Sequence, residues 1–526
     1  MTDALKNPER QLSSIAHMIS RGAEIHPDRI AIDDLLRGRR LSYRELDERI
    51  NRLARALGRL GLAKGDFLGV MLWNEHAVVE TIFACARAGI IVAPLNVRLL
   101  ADEVADYVNY HGCTAIVTNA DFEEKFAGAD AGIRISTAGS DSWLDYETLV
   151  CAEEAGPLPV VTSLDDPVRL VSTGGTTGRS KGVLHSHVGV YFTVIGNIAE
   201  FNVRRGWNTI MIMPTYHAAG MDWGMMPVFW RVGTVVFPAD TSFNPVRYIA
   251  EIKARNIEYL QIVPAVINPI YQAWDGVPIT EPRAIISTSA PTPPALREKL
   301  AEMFPVSDIM IAAGLSESIN MAAPEPGEAL TYPESVGEPH IDTRLRILDD
   351  DDRTVPRNQQ GHIVLRGFNT ALRYNNNDEV SALTWRPIKG DAEGLHWCFT
   401  GDIGVMDDDG RVSIVDRSKD VIITGGETVP SVEVEAVYME HPKITECAAV
   451  GVEDEKWGEA ILLIAAKNDP DISDADLAAD LYAFGRENLA GYKVPKRIAF
   501  MDVLPRSHFG KILKRDLRDQ AFERIF

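Results

Sequence analysis

The segment Val171-Ser172-Thr173-Gly174-Gly175-Thr176-Thr177-Gly178-Arg179-Ser180-Lys181-Gly182 gathers glycines, threonines and a lysine directly behind a strand-like run, Val168 to Val171. Glycines let the backbone turn sharply and present bare N–H groups. The threonine hydroxyls and Lys181 add donors and a positive charge, a chemistry suited to the oxygens of a polyphosphate. It is not a Walker A loop, which needs Gly-Lys-Ser/Thr adjacent; here Arg179 and Ser180 separate Gly178 from Lys181. A Gly/Thr-rich surface turn has the same composition, so this segment alone leaves both readings open.

The elements that must hold such a loop follow from length and periodicity. With 526 residues the chain exceeds one core and suits about two to four domains. Ser42 and Glu45 form a capping-box signature ahead of apolar Leu46, Ile50, Leu53, Leu57 and Leu60, one helical stripe. Strand-like runs at 67–72, 90–93, 115–118, 210–213, 235–237, 259–263, 284–286 and 309–312 alternate with helical segments, which predicts α/β layers with parallel pairing. From about Gly337 short alternating segments such as 343–348 and 362–365 sit between turn residues, as in a small antiparallel, barrel-like sheet. After Val415 a strand, a helix from Ser431, strands around Cys447 and Leu462, a helix near Leu477 and a strand at Ile498 predict a compact α+β unit. The expected division is 1–416 and 417–526, joined by a short charged hinge at Asp416 to Asp420.

Composition excludes several classes of function. A formal net charge of −22 opposes general binding to nucleic acid or anionic membranes. Five cysteines without a CxxC pair predict a reducing compartment and no zinc site. The polar N-terminal residues do not read as a signal core, and Arg87 interrupts the most apolar run, 81–95, so no transmembrane segment and a cytoplasmic location are expected.

Further segments share the loop's chemical character. Pro214-Thr215-Tyr216-His217, Ser287 to Pro291, and Gly314-Leu315-Ser316-Glu317 come first. Phe399-Thr400-Gly401-Asp402, Asp416-Arg417-Ser418-Lys419-Asp420 with Gly425-Gly426, and Leu504-Pro505-Arg506-Ser507 leading to Gly510-Lys511-Ile512 follow. In order and spacing they resemble the adenylate-forming superfamily of acyl- and aryl-CoA ligases, peptide-synthetase adenylation domains and beetle luciferases, through nearly the whole chain. The resemblance implies an AMP-forming carboxylic acid–CoA ligase using ATP, Mg²⁺ and coenzyme A. A stand-alone enzyme that loads a carrier-protein thiol is the alternative; a homodimer stays open as an assembly state.

In such an enzyme a carboxylate attacks the α-phosphorus of ATP. Two unit charges of like sign at contact repel by about 1 kcal/mol in water and about 4 kcal/mol in a partly desolvated site, so a cation must bridge them. By resemblance that cation is Lys511. Thr173, Gly174, Gly175, Thr176, Thr177, Gly178 and Lys181 would cradle the phosphates. Glu317, with Thr176, would hold Mg²⁺, a hard ion on hard oxygens. Ser289, Ala290, Pro291, Ala313, Gly314, Leu315 and Ser316 would border the nucleotide. Asp402 would accept from the ribose hydroxyls and Arg417 donate to the ribose. His217 would position the carboxylate or open the thiol path. Lys419 would be the pivot of a mobile C-terminal domain, with Gly425 and Gly426 along the thiol tunnel and Lys493, Lys496 and Arg497 near CoA.

The sequence departs from the family at several points. Ala313 replaces an aromatic that stacks on adenine, a contact worth about 1–3 kcal/mol. Gly174 stands for serine and Ser180 for proline in the phosphate loop. Thr288 and Ser289 replace two glycines, which predicts an acyl pocket that is narrowed or gains hydroxyl contacts. The stretch 320–333 is expected to cover the substrate.

Overall fold

The computed structural model describes residues 14–173, 181–424, 427–454, 456–506, 512–520, 522 and 525–526. The capping box forms as expected: Ser42 caps the helix Tyr43–Arg59, Glu45 reaches back, and Leu46, Ile50, Leu53 and Leu57 are buried. The helix His76–Ala88 is buried almost all round, which marks it as a central layer rather than a surface helix. Its apolar residues share one core with side chains from two sheets, among them Leu68, Val171, Val235 and Ile286.

The first sheet has eight strands. Leu144–Asp145, Ile133–Ser136, Cys113–Thr118, Phe67–Met71, Ile91–Pro94 and Pro167–Thr173 run parallel, and Lys181–Ser186 and Arg373–Tyr374 add antiparallel at one edge. The second sheet has seven, in the order Asp308–Ile311, Ala284–Ser287, Ile257–Ile262, Asn208–Ile210, Val235–Phe237, Ile30–Asp34 and Arg39–Ser42. All are parallel except the last. The expected strand 210–213 is shorter: it ends at Ile210, and Met211 leads out toward His217.

The antiparallel region is an open five-stranded sheet of Thr343–Leu348, Gly361–Gly367, Trp385–Pro387, His396–Met406 and Val412–Arg417. Its last strand runs through Arg417, one residue beyond the expected division. The C-terminal sheet is separate and has its own core, in which Val434, Leu463, Leu477 and Ile498 pack together. Its helices include Ser431–Tyr438 and Asp474–Asn488. Asp416 spans the junction, because Oδ2 accepts both the N–H and the hydroxyl of Ser431 at 2.6 Å.

The stretch 320–333 does not form a cover. Ser318–Ala323 is a fully buried strand paired with Ala313–Leu315 and Glu338–Pro339, and Glu328–Thr331 is a short helix packed beside Asp308–Ile311. In the strand Ser318–Ala323 the apolar residues Ile319, Met321 and Ala322 occupy core positions.

Candidate active site

Segments with the expected chemistry follow the carboxyl ends of parallel strands in the second sheet, where ligands bind in open α/β sheets. The 211–217 stretch follows Asn208–Ile210, Ser289 to Pro291 follow Ala284–Ser287, and Ala313 to Glu317 follow Asp308–Ile311. Ser289, Ala290 and Pro291 are all exposed, and Ser289 is in the left-handed region with φ +73°. A glycine in the family's pattern has a physical reason there. Thr288 is buried and Ser289 is exposed.

The Thr/Gly loop closes a hairpin. Thr173 ends one strand, Lys181 begins the next, and the two are paired, with the Thr173 hydroxyl 3.5 Å from the Lys181 carbonyl. Gly174, Gly175, Thr176, Thr177 and Gly178 lie outside the described residues, as do Gly425, Gly426 and Lys511. The Lys181 ammonium lies 5.1 Å from the centre of the Tyr374 ring. The Tyr374 hydroxyl donates to Glu317 Oε1 at 2.6 Å. Burial, and then the negative charge of Glu317, push the Tyr374 phenol well above its ordinary pKa, so it stays a donor. One ring thus joins the loop's lysine to Glu317.

Tyr374 was not identifiable from the sequence. Its partner is 57 residues away, and the surrounding Asn375-Asn376-Asn377 reads only as a turn. Glu317 sits in the tight connection between Ala313–Leu315 and Ser318–Ala323. Gly314 is obligatory in this hairpin, because a Cβ would fall 1.8 Å from the Ile319 carbonyl oxygen. Leu315 and Ser316 are half-buried, and Ala313 is turned into the antiparallel sheet's core with Met321 and Ile363. Buried His185 hydrogen-bonds the Ser316 backbone; burial and the nearby Arg169 charge hold its pKa well below the usual imidazole value, so it is neutral.

Asp402 and Arg417 are brought together on adjacent strands, with Arg417 Nε 2.7 Å from Asp402 Oδ1. The Asp402 carboxylate is buried and the Arg417 head exposed. Thr400 organises both: its hydroxyl accepts from the Asp402 N–H at 3.0 Å, and its carbonyl accepts from Arg417 Nη1 at 3.2 Å. Lys419 is exposed just beyond; partial burial, with the positive charges of Arg417, Arg518 and Lys181 around it, lowers its pKa. His217 is half-buried, with its ring 4.7 Å from that of Tyr216. Lys493 pairs with Glu433 at 2.5 Å and Arg497 with Asp454 at 3.0 Å, so those two cations are already engaged within the C-terminal unit.

Among the described residues no cluster of three or more His, Cys, Asp or Glu side chains forms a protein-only metal site. One carboxylate does fit a magnesium ion carried on phosphates, the usual way that ion is held. Glu317 is the residue that would hold it, with its Oε1 fixed by the Tyr374 hydroxyl.

Residues 19–375 match the AMP-binding enzyme family, and residues 433–511 match the AMP-binding enzyme C-terminal domain. The chain belongs to the AMP-binding enzymes. It is 30% identical to the 2-succinylbenzoate–CoA ligase of Geobacillus kaustophilus, over 96% of this chain and 98% of the relative. It is 29% identical to the feruloyl-CoA synthase of an Amycolatopsis species, over 91% and 94%. The o-succinylbenzoate CoA synthetase of Bacillus subtilis, solved with its acyl-adenylate, shares the fold with a TM-score of 0.84 at 24% identity, covering 96% and 99%. The two relatives just named are acid–CoA ligases, and acid–thiol ligation is the activity class of this AMP-binding enzyme. No helix among the described residues is long and apolar enough to cross a membrane.

Proposed function

We propose that the protein activates a carboxylic acid with ATP and transfers the acyl group to coenzyme A at one site, in two half-reactions. First a carboxylate oxygen bonds to the α-phosphorus, and the bond to the bridging oxygen breaks, so pyrophosphate leaves with the electron pair. Then the thiol sulfur bonds to the acyl carbon, AMP departs with the electrons of the C–O bond, and the thiol proton passes to solvent. Magnesium supplies charge neutralisation on the phosphates when bound.

The residues divide the work by their chemistry. The loop Thr173 to Lys181 holds the β- and γ-phosphates, and Glu317, oriented by Tyr374, takes the metal-bearing side. Asp402 accepts from the ribose hydroxyls and Arg417 donates, with Thr400 fixing the pair. His217 lies at the acid's carboxyl end, and Lys511 bridges the reacting anions. The C-terminal unit, which we divide from the rest at 416/417, turns about Lys419 between the two steps. Gly426 then faces the thiol, where a side chain would block it.

The observation that carries this reading is the convergence of Lys181 and Glu317 on Tyr374 at the mouth of the loop hairpin. It supplies one cation and one carboxylate on a single rigid ring, which is what a metal–polyphosphate needs on two of its sides. The test separates the half-reactions. Lys511→Ala is expected to abolish acyl-adenylate formation and to leave thioester formation from supplied acyl-adenylate within a few fold. Gly426→Leu is expected to do the reverse. Equal damage to both steps in both variants would refute the two-step division. Replacing CoA with a phosphopantetheinylated carrier protein checks the thiol acceptor: preference for the carrier would move the protein to the carrier-loading class.

A further inference from the structure

The ladder of the second sheet stops at the start of the His217 stretch for a reason that lies in the sequence. The Met211 N–H still donates to the Val236 carbonyl at 2.9 Å. In a parallel pair the carbonyl of that residue then accepts the N–H two positions further along the neighbouring strand. That position is Pro238, which has no N–H to give. The strand accordingly ends at Ile210, and Met211, Met213 and Thr215 continue beyond it as buried residues whose backbone groups need other partners.

Asn74 takes the place of the missing strand. Its amide donates to the Met211 carbonyl at 3.1 Å and to the Met213 carbonyl at 2.8 Å, and its Oδ1 accepts the Thr215 N–H at 2.9 Å. Alternate residues of an extended chain turn their backbone groups to the same side, so 211, 213 and 215 present one edge. A primary amide, with two donors and an acceptor, answers all three. Asn74 belongs to the first sheet's side of the molecule, between the strand Phe67–Met71 and the helix His76–Ala88. Its neighbours are pinned: the Trp73 indole donates to Asp121 at 2.7 Å, Glu75 accepts from Arg37 at 2.6 Å, and Asp34 accepts the His76 N–H at 2.8 Å.

The hold is passed on to His217. The His217 N–H donates to the Pro214 carbonyl at 3.2 Å, closing a tight turn that contains Thr215. A Cβ on Gly220 would come 2.3 Å from that same carbonyl oxygen, so the π-helix Gly220–Met225 starts with its backbone against the turn. We propose that Asn74 is the positioning residue for His217: its three hydrogen bonds set the path of 211–215 and so the place of the imidazole at the acid's carboxyl end. This rests on the ligase reading above and on the part His217 has in it.

The experiment is a double-mutant cycle read by acid-dependent pyrophosphate exchange. Straight-chain acids from acetate to palmitate, with benzoate and ferulate as single-ring probes, are tried on wild type, and the best is used for Asn74→Ala, His217→Ala and the double variant. Asn74→Ala is expected to lower kcat/KM for the acid about tenfold or more, with the KM for ATP held within about threefold. In the His217→Ala background the same substitution is expected to cost less than about twofold, because the side chain it places is gone. Asn74→Asp keeps the shape and the acceptor for the Thr215 N–H but loses both donations, and it is expected to couple to His217 in the same way; it carries the cycle if the alanine variant does not fold. Losses that multiply in the double variant, or a KM for ATP that rises as much as that for the acid, overturn the positioning role and leave the ligase reading standing. A His217→Ala enzyme with wild-type kinetics removes His217 from the reaction and this inference with it. No exchange with any acid overturns the ligase reading as well.

Discussion

Tyr374→Phe isolates one hydrogen bond at the centre of the site. The substitution removes the hydroxyl that donates to Glu317 Oε1 at 2.6 Å and keeps the ring beneath Lys181. A hydrogen bond to a charged group contributes about 1.5–3 kcal/mol when its partner cannot be solvated. Glu317 is half-buried, so water replaces part of what is lost. The lower end applies, and about 1.4 kcal/mol is tenfold in rate. We expect kcat/KM for ATP in acid-dependent pyrophosphate exchange to fall about tenfold, and half-saturation to need more Mg²⁺. Tyr374→Leu also removes the ring and is expected to lose a further several fold as Lys181 loses its platform, a contact worth about 0.5–1 kcal/mol. Magnesium titrations of all three proteins at fixed ATP provide the readout. A Tyr374→Phe enzyme with wild-type rate and wild-type Mg²⁺ dependence would refute the claim that Tyr374 orients Glu317. Phenylalanine and leucine variants that behave identically would refute instead the role of the ring as a platform for Lys181.

Other predictions follow from the same geometry. Asp402→Ala leaves Arg417 without its 2.7 Å partner and removes the ribose acceptor; the KM for ATP should rise about tenfold with acid affinity little changed, checked by initial rates at varied ATP. Ser289→Gly relieves a left-handed backbone at φ +73° and should stabilise the fold by about 0.5 kcal/mol after the entropy cost of glycine, seen in urea unfolding. Burial alone would lower the His76 pKa, but hydrogen bonds to Asp34 and Glu147 prevail and raise it to about 9. A raised folded pKa contributes stability fully present below the unfolded value, about 6.5, and lost as pH rises through 9. The melting temperature should therefore decline between pH 7 and pH 10, and His76→Gln should flatten that decline.

Local patterns were legible in the sequence where local physics decides. The Ser42–Glu45 capping box, the parallel strands, the antiparallel region after Gly337 and the compact C-terminal unit were all readable from periodicity and turn chemistry. Asp402 and Arg417 were expected at one ribose site, and the strand register sets them opposite each other. The motifs also located Glu317 and Lys181, but their shared contact was hidden. It depends on Tyr374, which reaches them only because Arg373–Tyr374 adds to the edge of the loop hairpin. The start of the stretch 320–333, expected to cover the substrate, is instead the buried end of a strand, in which Met321, Ala322 and Ala323 are core residues.

The central claim is that acid activation by ATP precedes and does not require the thiol. Exchange of labelled pyrophosphate into ATP, measured with acid and Mg²⁺ but no CoA, tests it most directly. The account predicts exchange that depends on the acid, is lost in Lys511→Ala and is retained in Gly426→Leu. Exchange that appears only when CoA is added, or that proceeds equally without any acid, would contradict it.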